Sequence, residues 1–272
     1  MSQHAAAAAT APPKPVIFIT GASSGLGRAF FQHFAKHPTS PPCTVVGIDR
    51  RPWTDNAGQD HAVYRPDDSS LYAQLDVTSP LEAHQALVRQ HIGETTPVSL
   101  VVHCAGVRGL VPHVPIHSAS EVASAETLDA MDAATLLHTY EINVVGTFSV
   151  LTAVLPNLRR AARDGLAPKV IVLSSRMGSI AANAAGGGYA YRASKAALNA
   201  VLRSMSLDVP EVFFAMVHPG RVETGLVVVK EDGAISVEES LGDVLALLER
   251  LGGEAGLGTG CFVDRFGETI QW

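Results

Sequence analysis

Short runs of β-branched and aliphatic residues alternate along the chain with segments in which apolar residues recur every three to four positions. The runs are typical of buried parallel strands, and the spaced patterns are typical of helices. This alternation predicts an α/β fold in which helices cover both faces of a parallel sheet. The predicted strands span residues 16–19, 45–48, 71–75, 98–102, 169–173, 212–217 and 261–264.

The longest predicted helix, residues 133–162, is apolar on more than one side, whereas residues 52–70 are mainly polar. We expect the polar stretch, which contains Pro, Gly and Asp, to form a loop or a weak helix. A helix that is apolar all round needs cover on both sides. One side is expected to pack on the sheet and the other on a symmetry mate. The alternative is cover by a neighbouring helix of the same subunit. The apolar residues concerned are Val144, Val145, Phe148, Val150 and Leu151.

A glycine-rich segment follows the first predicted strand and precedes a helix that runs to about residue 37. Glycines let a backbone approach a pyrophosphate closely, and a helix N-terminus offers free N–H groups to an anion. The spacing differs from the general G-x-G-x-x-G pattern, and an ordinary glycine-rich turn is the alternative. The segment predicts a Rossmann-type, doubly wound sheet in a three-layer αβα sandwich. The residues expected to bind a dinucleotide are Gly21, Ser23, Ser24, Gly25, Leu26 and Gly27.

Asp49 ends the second predicted strand and follows Gly27 by 22 residues, where an acid can hold the adenosine ribose hydroxyls. A carboxylate there repels a 2′-phosphate, so we predict NAD as the cofactor, with NADP as the alternative. Arg50 and Arg51 argue for NADP, because either could pair with the phosphate. They lie on a loop and can face water, whereas the strand fixes Asp49.

Tyr191 and Lys195 lie four residues apart, so on a helix they share one face. A nearby ammonium lowers the pKa of a phenol and allows it to exchange a proton near neutral pH. Ser175 precedes Tyr191 by 16 residues and ends a predicted strand. These residues predict proton-transfer chemistry.

Taken together, the glycine segment, Ser175 and the Tyr191–Lys195 pair resemble the short-chain dehydrogenase/reductase family. The resemblance covers residues 15–272, and the segment 174–180 and the chain's end look most like the C-factor/sniffer-like carbonyl reductase branch. It implies that Ser175 binds the substrate oxygen, that Lys195 keeps Tyr191 acidic and bonds the nicotinamide ribose, and that Asn143 places a water in a proton relay. Further cofactor contacts implied by the resemblance are Asp76, Val77, Ala105, Gly106, Pro219, Gly220, Val222 and Thr224.

The fourth predicted strand ends in His103-Cys104-Ala105-Gly106, where the family usually has N-N-A-G. The chain therefore departs from the family at His103 and Cys104. A histidine at a strand end is more often structural than catalytic, so we expect His103 to be structural. The expected function is NAD(P)-dependent interconversion of a small-molecule carbonyl and alcohol, with Tyr191 as general acid/base. The alternative is a dinucleotide-binding sensor or signalling protein of the same fold without significant turnover.

Composition narrows the remaining possibilities. The chain has 272 residues and a net charge of −6, so no nucleic-acid partner is expected. No apolar run reaches the ~18 residues of a membrane span, so we expect no membrane partner. Cys43, Cys104 and Cys261 form no C-x-x-C pair, which argues against a metal site and suits a cytoplasmic location. Residues 1–14 are expected to form a flexible tail before one catalytic domain, 15–272, which assembles as a homodimer or homotetramer.

Overall fold

One large sheet and one short hairpin contain the strands of the computed structural model, which describes residues 14–37, 39–227, 229–252 and 256–272. All but the last residue of the predicted N-terminal tail lies outside these described residues. The strands are β1 (Val16–Thr20), β2 (Thr44–Asp49), β3 (Trp53–Thr54), β4 (Asp60–His61), β5 (Val63–Asp67), β6 (Ser70–Gln74), β7 (Val98–His103), β8 (Lys169–Leu173), β9 (Phe213–His218) and β10 (Cys261–Asp264).

The large sheet has the order β10-β9-β8-β7-β1-β2-β6-β5, and all its neighbours are parallel except β5 and β6. The chain builds outward from β1 in one direction and from β7 in the other. The carboxyl ends of β1 and β7 therefore form the switch point at which doubly wound sheets bind ligands. The predicted Rossmann-type α/β fold is confirmed.

Helices cover both faces of this sheet and make the two outer layers of the sandwich. The π-helical turn Glu141–Gly146 joins the helix Ala133–Tyr140 to the helix Thr147–Arg163, so residues 133–163 run as one long helix. Short 3₁₀ helices occupy Ala119–Glu126 and Arg176–Gly178, and a second π-helical turn occupies Val88–Ile92. The α-helices are α1 (Gly25–Lys36), α2 (Leu81–Leu87), α3 (Ala133–Tyr140), α4 (Thr147–Arg163), α5 (Tyr189–Asp208) and α6 (Val237–Arg250).

Alternation along β1 divides the core into two halves. Val16 and Phe18 face the core that includes residues of α2, α4 and α5, whereas Ile17 and Ile19 face the core that includes residues of α1 and α6. All four side chains are buried. A strand that is buried on both faces has no polar face, which explains why the central strands are continuous apolar runs in the sequence.

The polar stretch 52–70 contains β3, β4 and β5, so the predicted loop or weak helix is wrong. Trp53 is buried there and stacks on Tyr64, with ring centres 5.4 Å apart. The Arg28 guanidinium covers the Trp53 ring at 4.4 Å. Polar residues are tolerated because β5 is an edge strand with one side open to water.

The long helix Ala133–Arg163 reaches the length and apolar composition of a membrane span, although no uninterrupted apolar run in the sequence predicted one. Its most apolar window has a mean hydropathy of 1.3, and 61% of that window is buried inside the fold. Such burial is typical of a core helix that packs on a sheet. Leu151 shows this directly, since it is 1% exposed in the core beside β1.

We expect Leu151→Ala to lower the free energy of unfolding by about 2–5 kcal/mol, because it leaves a cavity in a packed core. Leu128→Ala is the matched control: the same atoms are removed from a side chain that is 72% exposed, and the expected change is within about 0.5 kcal/mol. Urea unfolding monitored by circular dichroism measures the free energy of unfolding of both variants. Equal losses in the two variants would contradict the core position of the helix.

Candidate active site

One cavity of about 580 Å³ runs along the carboxyl ends of the strands and brings together nearly all of the predicted site residues. Ser23 and Asn143 do not line its wall, because both are buried behind it. The predicted residues that line the cavity are Gly21, Ser24, Gly25, Leu26, Gly27, Asp49, Arg50, Asp76, Val77, Ala105, Gly106, Ser175, Tyr191, Lys195, Pro219, Gly220, Val222 and Thr224.

The glycine segment after β1 needs glycine because other parts of the backbone approach it closely. Gly21 has a φ of +69°, and a Cβ atom there would lie 2.9 Å from the Ala105 backbone nitrogen. A Cβ atom at Gly27 would collide with the Gly21 carbonyl oxygen. The segment therefore folds into a tight turn that leads directly into α1.

This turn fits the pyrophosphate of a dinucleotide. The N-terminus of α1 at Gly25 opens on the cavity and offers unpaired N–H groups to an anion. Ser23 adds a buried hydroxyl that has no hydrogen-bond partner among the described residues. Because Ser23 does not line the cavity, the fit depends on the N–H groups at the start of α1, and direct contact of Ser23 with the cofactor stays a prediction.

Asp49 closes the other end of this turn. Its carboxylate accepts hydrogen bonds from the backbone N–H groups of Ser23 and Arg51, both at 3.2 Å. The Arg51 guanidinium donates to the Ser24 hydroxyl at 2.6 Å, and both residues line the cavity. Arg51 is exposed, as expected for a loop residue, but its hydrogen bond to Ser24 also holds its side chain against the cavity.

The catalytic candidates lie on α5, which starts after Gly188 in a left-handed conformation with a φ of +61°. Tyr191 and Lys195 share one face of this helix, as predicted, with Lys195 Nζ 5.7 Å from the phenol ring centre. Lys195 is 4% exposed and donates to the Leu173 carbonyl at 2.9 Å. Burial lowers the pKa of Lys195 to about 8, so it exchanges protons near neutral pH.

Tyr191 is buried at the far end of the cavity from Asp49. Burial raises the pKa of its phenol, while the Arg108 guanidinium and a hydrogen bond with Ser175 act to lower it. The net shift is upward, so the phenol is protonated at neutral pH. Two cations therefore lie near the phenol, since the Arg108 guanidinium carbon is 5.0 Å and Lys195 Nζ is 5.7 Å from the ring centre; the acidifying role of Lys195 stays a prediction.

Arg108 and its partner Glu126 were not predicted as site residues. Arg108 Nε and Nη2 donate to the two carboxylate oxygens of Glu126 at 2.7 and 3.0 Å. The guanidinium carbon lies 5.0 Å from the centre of the Tyr191 ring. Since 18 residues separate the two partners in a region without helical periodicity, no local pattern could pair them.

Asn143 lies in the π-helical turn between α3 and α4, and its amide is fully engaged. The oxygen accepts from the Val107 N–H at 2.8 Å, and the nitrogen donates to the Val107 carbonyl and the Ser194 hydroxyl, both at 2.9 Å. Asn143 thus ties the loop after β7 to α5. π-Helical turns are often found at functional sites.

His103 is a buried structural residue, as expected. The Thr20 hydroxyl lies 3.0 Å from His103 Nδ1, and the Thr147 hydroxyl lies 2.9 Å from Nε2. Because Thr147 donates its own proton to the Asn143 carbonyl at 2.8 Å, it accepts from His103 Nε2–H. Burial lowers the pKa of His103 to about 3, so the ring is neutral. Where the family usually has asparagine, an imidazole links β1 to the Asn143 turn.

Comparison with known proteins identifies the family. The family model described as short chain dehydrogenase matches residues 15–234. C-signal of Myxococcus xanthus is 37% identical over 180 residues, which cover 65% of this chain and 95% of that protein. A 1-hydroxy-2-glutathionyl-2-methyl-3-butene dehydrogenase of Rhodococcus sp. strain AD45 is 30% identical over 202 residues, which cover 73% of this chain and 78% of that protein.

Solved structures share the fold over nearly the whole chain. The carbonyl reductase Sniffer of Drosophila melanogaster superposes with a TM-score of 0.73 at 24% identity, covering 96% of this chain and 100% of that one. The NADPH-bound carbonyl reductase from chicken fatty liver superposes with a TM-score of 0.72 at 26% identity and the same coverage. The chain therefore belongs to the short-chain dehydrogenase/reductase family and is an oxidoreductase that uses a nicotinamide dinucleotide.

Proposed function

We propose that this enzyme interconverts a carbonyl and an alcohol on a small molecule, with Tyr191 as general acid/base. The observation that carries the proposal is the position of Tyr191. Its phenol lies in the same cavity as the glycine turn, together with Ser175 and Lys195. When bound, the nicotinamide supplies or accepts the hydride, and the protein supplies orientation and the proton.

Tyr191 is suited to protonate a carbonyl oxygen during reduction, because burial keeps its phenol protonated at neutral pH. Ser175 accepts a hydrogen bond from the Met177 N–H at 3.2 Å, which holds its hydroxyl in the cavity, where it can donate its proton to a substrate oxygen. Lys195, with a pKa of about 8, is suited to replace the proton that Tyr191 gives up. Asn143 serves this arrangement by holding Val107 and α5 in place; the relay water remains a prediction.

Similarity to C-signal favours one alternative, a signalling role without significant turnover. A protein that acted only through its surface would have no need of a complete Ser175, Tyr191 and Lys195 set around one cavity. Turnover therefore remains the better-supported function, and the Tyr191 variant below distinguishes the two. Free Cys43, Cys104 and Cys261 support the proposal of a reducing, cytoplasmic location.

NADP(H) is the cofactor that we propose, in place of the NAD predicted from Asp49. Arg51 turns toward Ser24 in the cavity, which supports a partner for a 2′-phosphate. Both oxygens of Asp49 already accept backbone N–H groups, which weakens their repulsion of that phosphate. The NADPH-bound chicken carbonyl reductase offers independent support, because its structure superposes over 96% of this chain.

A second copy of the chain is proposed to cover the exposed side of α3 and α4. Val144, Val150 and Leu151 are buried, but Val145 and Phe148 are each 48% exposed. Leu137, which is 71% exposed, and Tyr140, which is 43% exposed, extend the same apolar surface. Since α5 leaves this side open, a two-fold partner is the arrangement that removes it from water.

Tyr191→Phe is expected to reduce turnover by roughly 10²–10⁴, because it removes the general acid and leaves the ring in place. Cofactor affinity and melting temperature should stay near the wild-type values. Oxidation of NADPH and NADH with a panel of aldehydes and ketones measures turnover. Tyr189→Phe is the control, since this tyrosine lies on the same helix outside the cavity wall. Equal activity of the Tyr191 variant and the wild type would refute the proposed role.

Arg51→Ala is expected to lower kcat/KM for NADPH by roughly 10- to 100-fold while changing kcat/KM for NADH little. The reason is the loss of a charge-assisted hydrogen bond to the phosphate, about 1.5–3 kcal/mol. Asp49→Ala should raise the preference for NADPH further. A wild-type preference for NADH that Arg51→Ala leaves unchanged would restore the assignment to NAD.

Wild-type protein at micromolar concentration should scatter light as a species of at least twice the 28.5 kDa chain mass. Phe148→Glu should reduce the mass to that of one chain, because it buries a charge in the proposed interface. Val63→Glu, on the edge strand β5 with 51% exposure, is the control that should stay assembled. A single 28.5 kDa species in the wild type would rule the interface out.

A further inference from the structure

A buried ion pair, Arg108 with Glu126, lies beside the catalytic tyrosine. Their side chains are only 15% and 8% exposed, and two hydrogen bonds at 2.7 and 3.0 Å join them. Removing two charges from water is unfavourable, and an apolar pair of the same volume is often as stable. A contribution to stability alone therefore does not explain why this ion pair is buried. Its position beside Tyr191 suggests a role in the chemistry of that residue.

Of the two cations that lie over the Tyr191 ring in the described part of the chain, Arg108 is the nearer. Its guanidinium carbon lies 5.0 Å from the ring centre, whereas Lys195 Nζ lies at 5.7 Å. The two cations also differ in the pH range over which they stay charged. Glu126 raises the pKa of Arg108 against the effect of burial, so Arg108 stays charged, while burial brings the pKa of Lys195 down to about 8. Above that pH, Arg108 is the positive charge that Tyr191 retains.

Glu126 gives the pair a fixed position relative to α5. It ends the 3₁₀ helix Ala119–Glu126, and its backbone carbonyl accepts the Gly188 N–H at 2.9 Å. Gly188 is the residue immediately before α5. The same residue therefore holds the guanidinium with its side chain and the start of the catalytic helix with its backbone. Movement of Arg108 away from Tyr191 would have to break its hydrogen bonds to Glu126, because Glu126 is itself attached to the start of α5.

We propose that Arg108, held by Glu126, is a positioning residue that stabilises the negative charge on Tyr191 after proton transfer and so sets the pH range of the enzyme. This inference rests on the proposed function of Tyr191 as general acid/base. Glu126 acts in two opposed ways, because it orients Arg108 and its own negative charge partly offsets the effect. The charged and titratable groups that face Tyr191 are Arg108 on the loop after β7, Glu126 on the 3₁₀ helix, Glu231 on the loop after β9, and Lys195 on α5, with the Ser175 hydroxyl beside them.

The proposal predicts shifts of opposite sign from the two partners. Arg108→Met removes the stabilising charge and should raise the pH at which Tyr191 titrates by about 0.5 to 2.5 units, for effective dielectric constants of about 80 to 20 at 5.0 Å. Arg108→Lys keeps the charge and should titrate close to the wild type. Glu126→Gln keeps one acceptor for Arg108 and removes the negative charge, so it should lower the titration pH.

Two measurements detect these shifts in the titration of Tyr191. The first is NMR titration of the Tyr191 phenol in isotope-labelled protein, assigned with Tyr191→Phe, which needs no substrate. The second is the pH profile of kcat for alcohol oxidation, in which the phenolate is the active base. The first remains readable if the chain turns over no tested substrate, so failure of the proposed function is distinguishable from failure of this inference.

Arg108→Met leaves Glu126 buried without its partner and can fail to fold. The double variant Arg108→Met with Glu126→Gln removes both charges and keeps the volume, and it should titrate slightly above the wild type because Arg108 has the larger effect. Unchanged titration in Arg108→Lys together with opposite shifts in the Glu126→Gln and double variants supports the proposal. If Glu126→Gln and the double variant titrate within about 0.2 units of the wild type, the pair is structural only and the proposal is overturned.

Discussion

The close approach of β1 and β7 at their carboxyl ends is the constraint on which the rest of this structure depends. The Thr20 hydroxyl oxygen accepts the backbone N–H groups of Cys104 and Ala105, each at 3.1 Å. Gly21 lies so near Ala105 that a methyl group would not fit between them. The strands that follow β1 and β7 extend in opposite directions, so this contact also forms the floor of the crevice that a dinucleotide occupies.

The functional groups are positioned by the loop after β7, by the end of β8 and by α5. Asn143 anchors the loop after β7 to α5, and the same loop continues into Arg108, which lies over Tyr191. Lys195 reaches from α5 to the carbonyl of Leu173 at the end of β8. The site therefore forms from neighbouring strand ends and one helix, which keeps side chains from distant parts of the sequence at fixed separations.

Sequence patterns predicted the parts of this fold that local chemistry determines. Continuous apolar runs marked the buried parallel strands, and the four-residue spacing of Tyr191 and Lys195 placed them on one helix face. The features that the sequence patterns did not predict depend on contacts between residues that are distant in the sequence. Strands β3 to β5 depend on Trp53, which packs between Arg28 and Tyr64. The pairing of Arg108 with Glu126 and the turn of Arg51 toward Ser24 likewise depend on neighbours that no local periodicity reveals.

The imidazole at position 103 makes the fold sensitive to acid. His103 in the folded chain has a pKa of about 3, and His218, also lowered by burial, has a pKa of about 4. In the unfolded chain both would titrate near 6.5. Between these values the unfolded chain binds more protons, so stability is retained above about pH 6.5 and is lost as the pH falls below it, by up to about 1.4 kcal/mol per pH unit for each histidine. An asparagine at position 103 would keep its hydrogen bonds at any pH. His103 keeps its hydrogen bonds to Thr20 and Thr147 only while the imidazole ring is neutral.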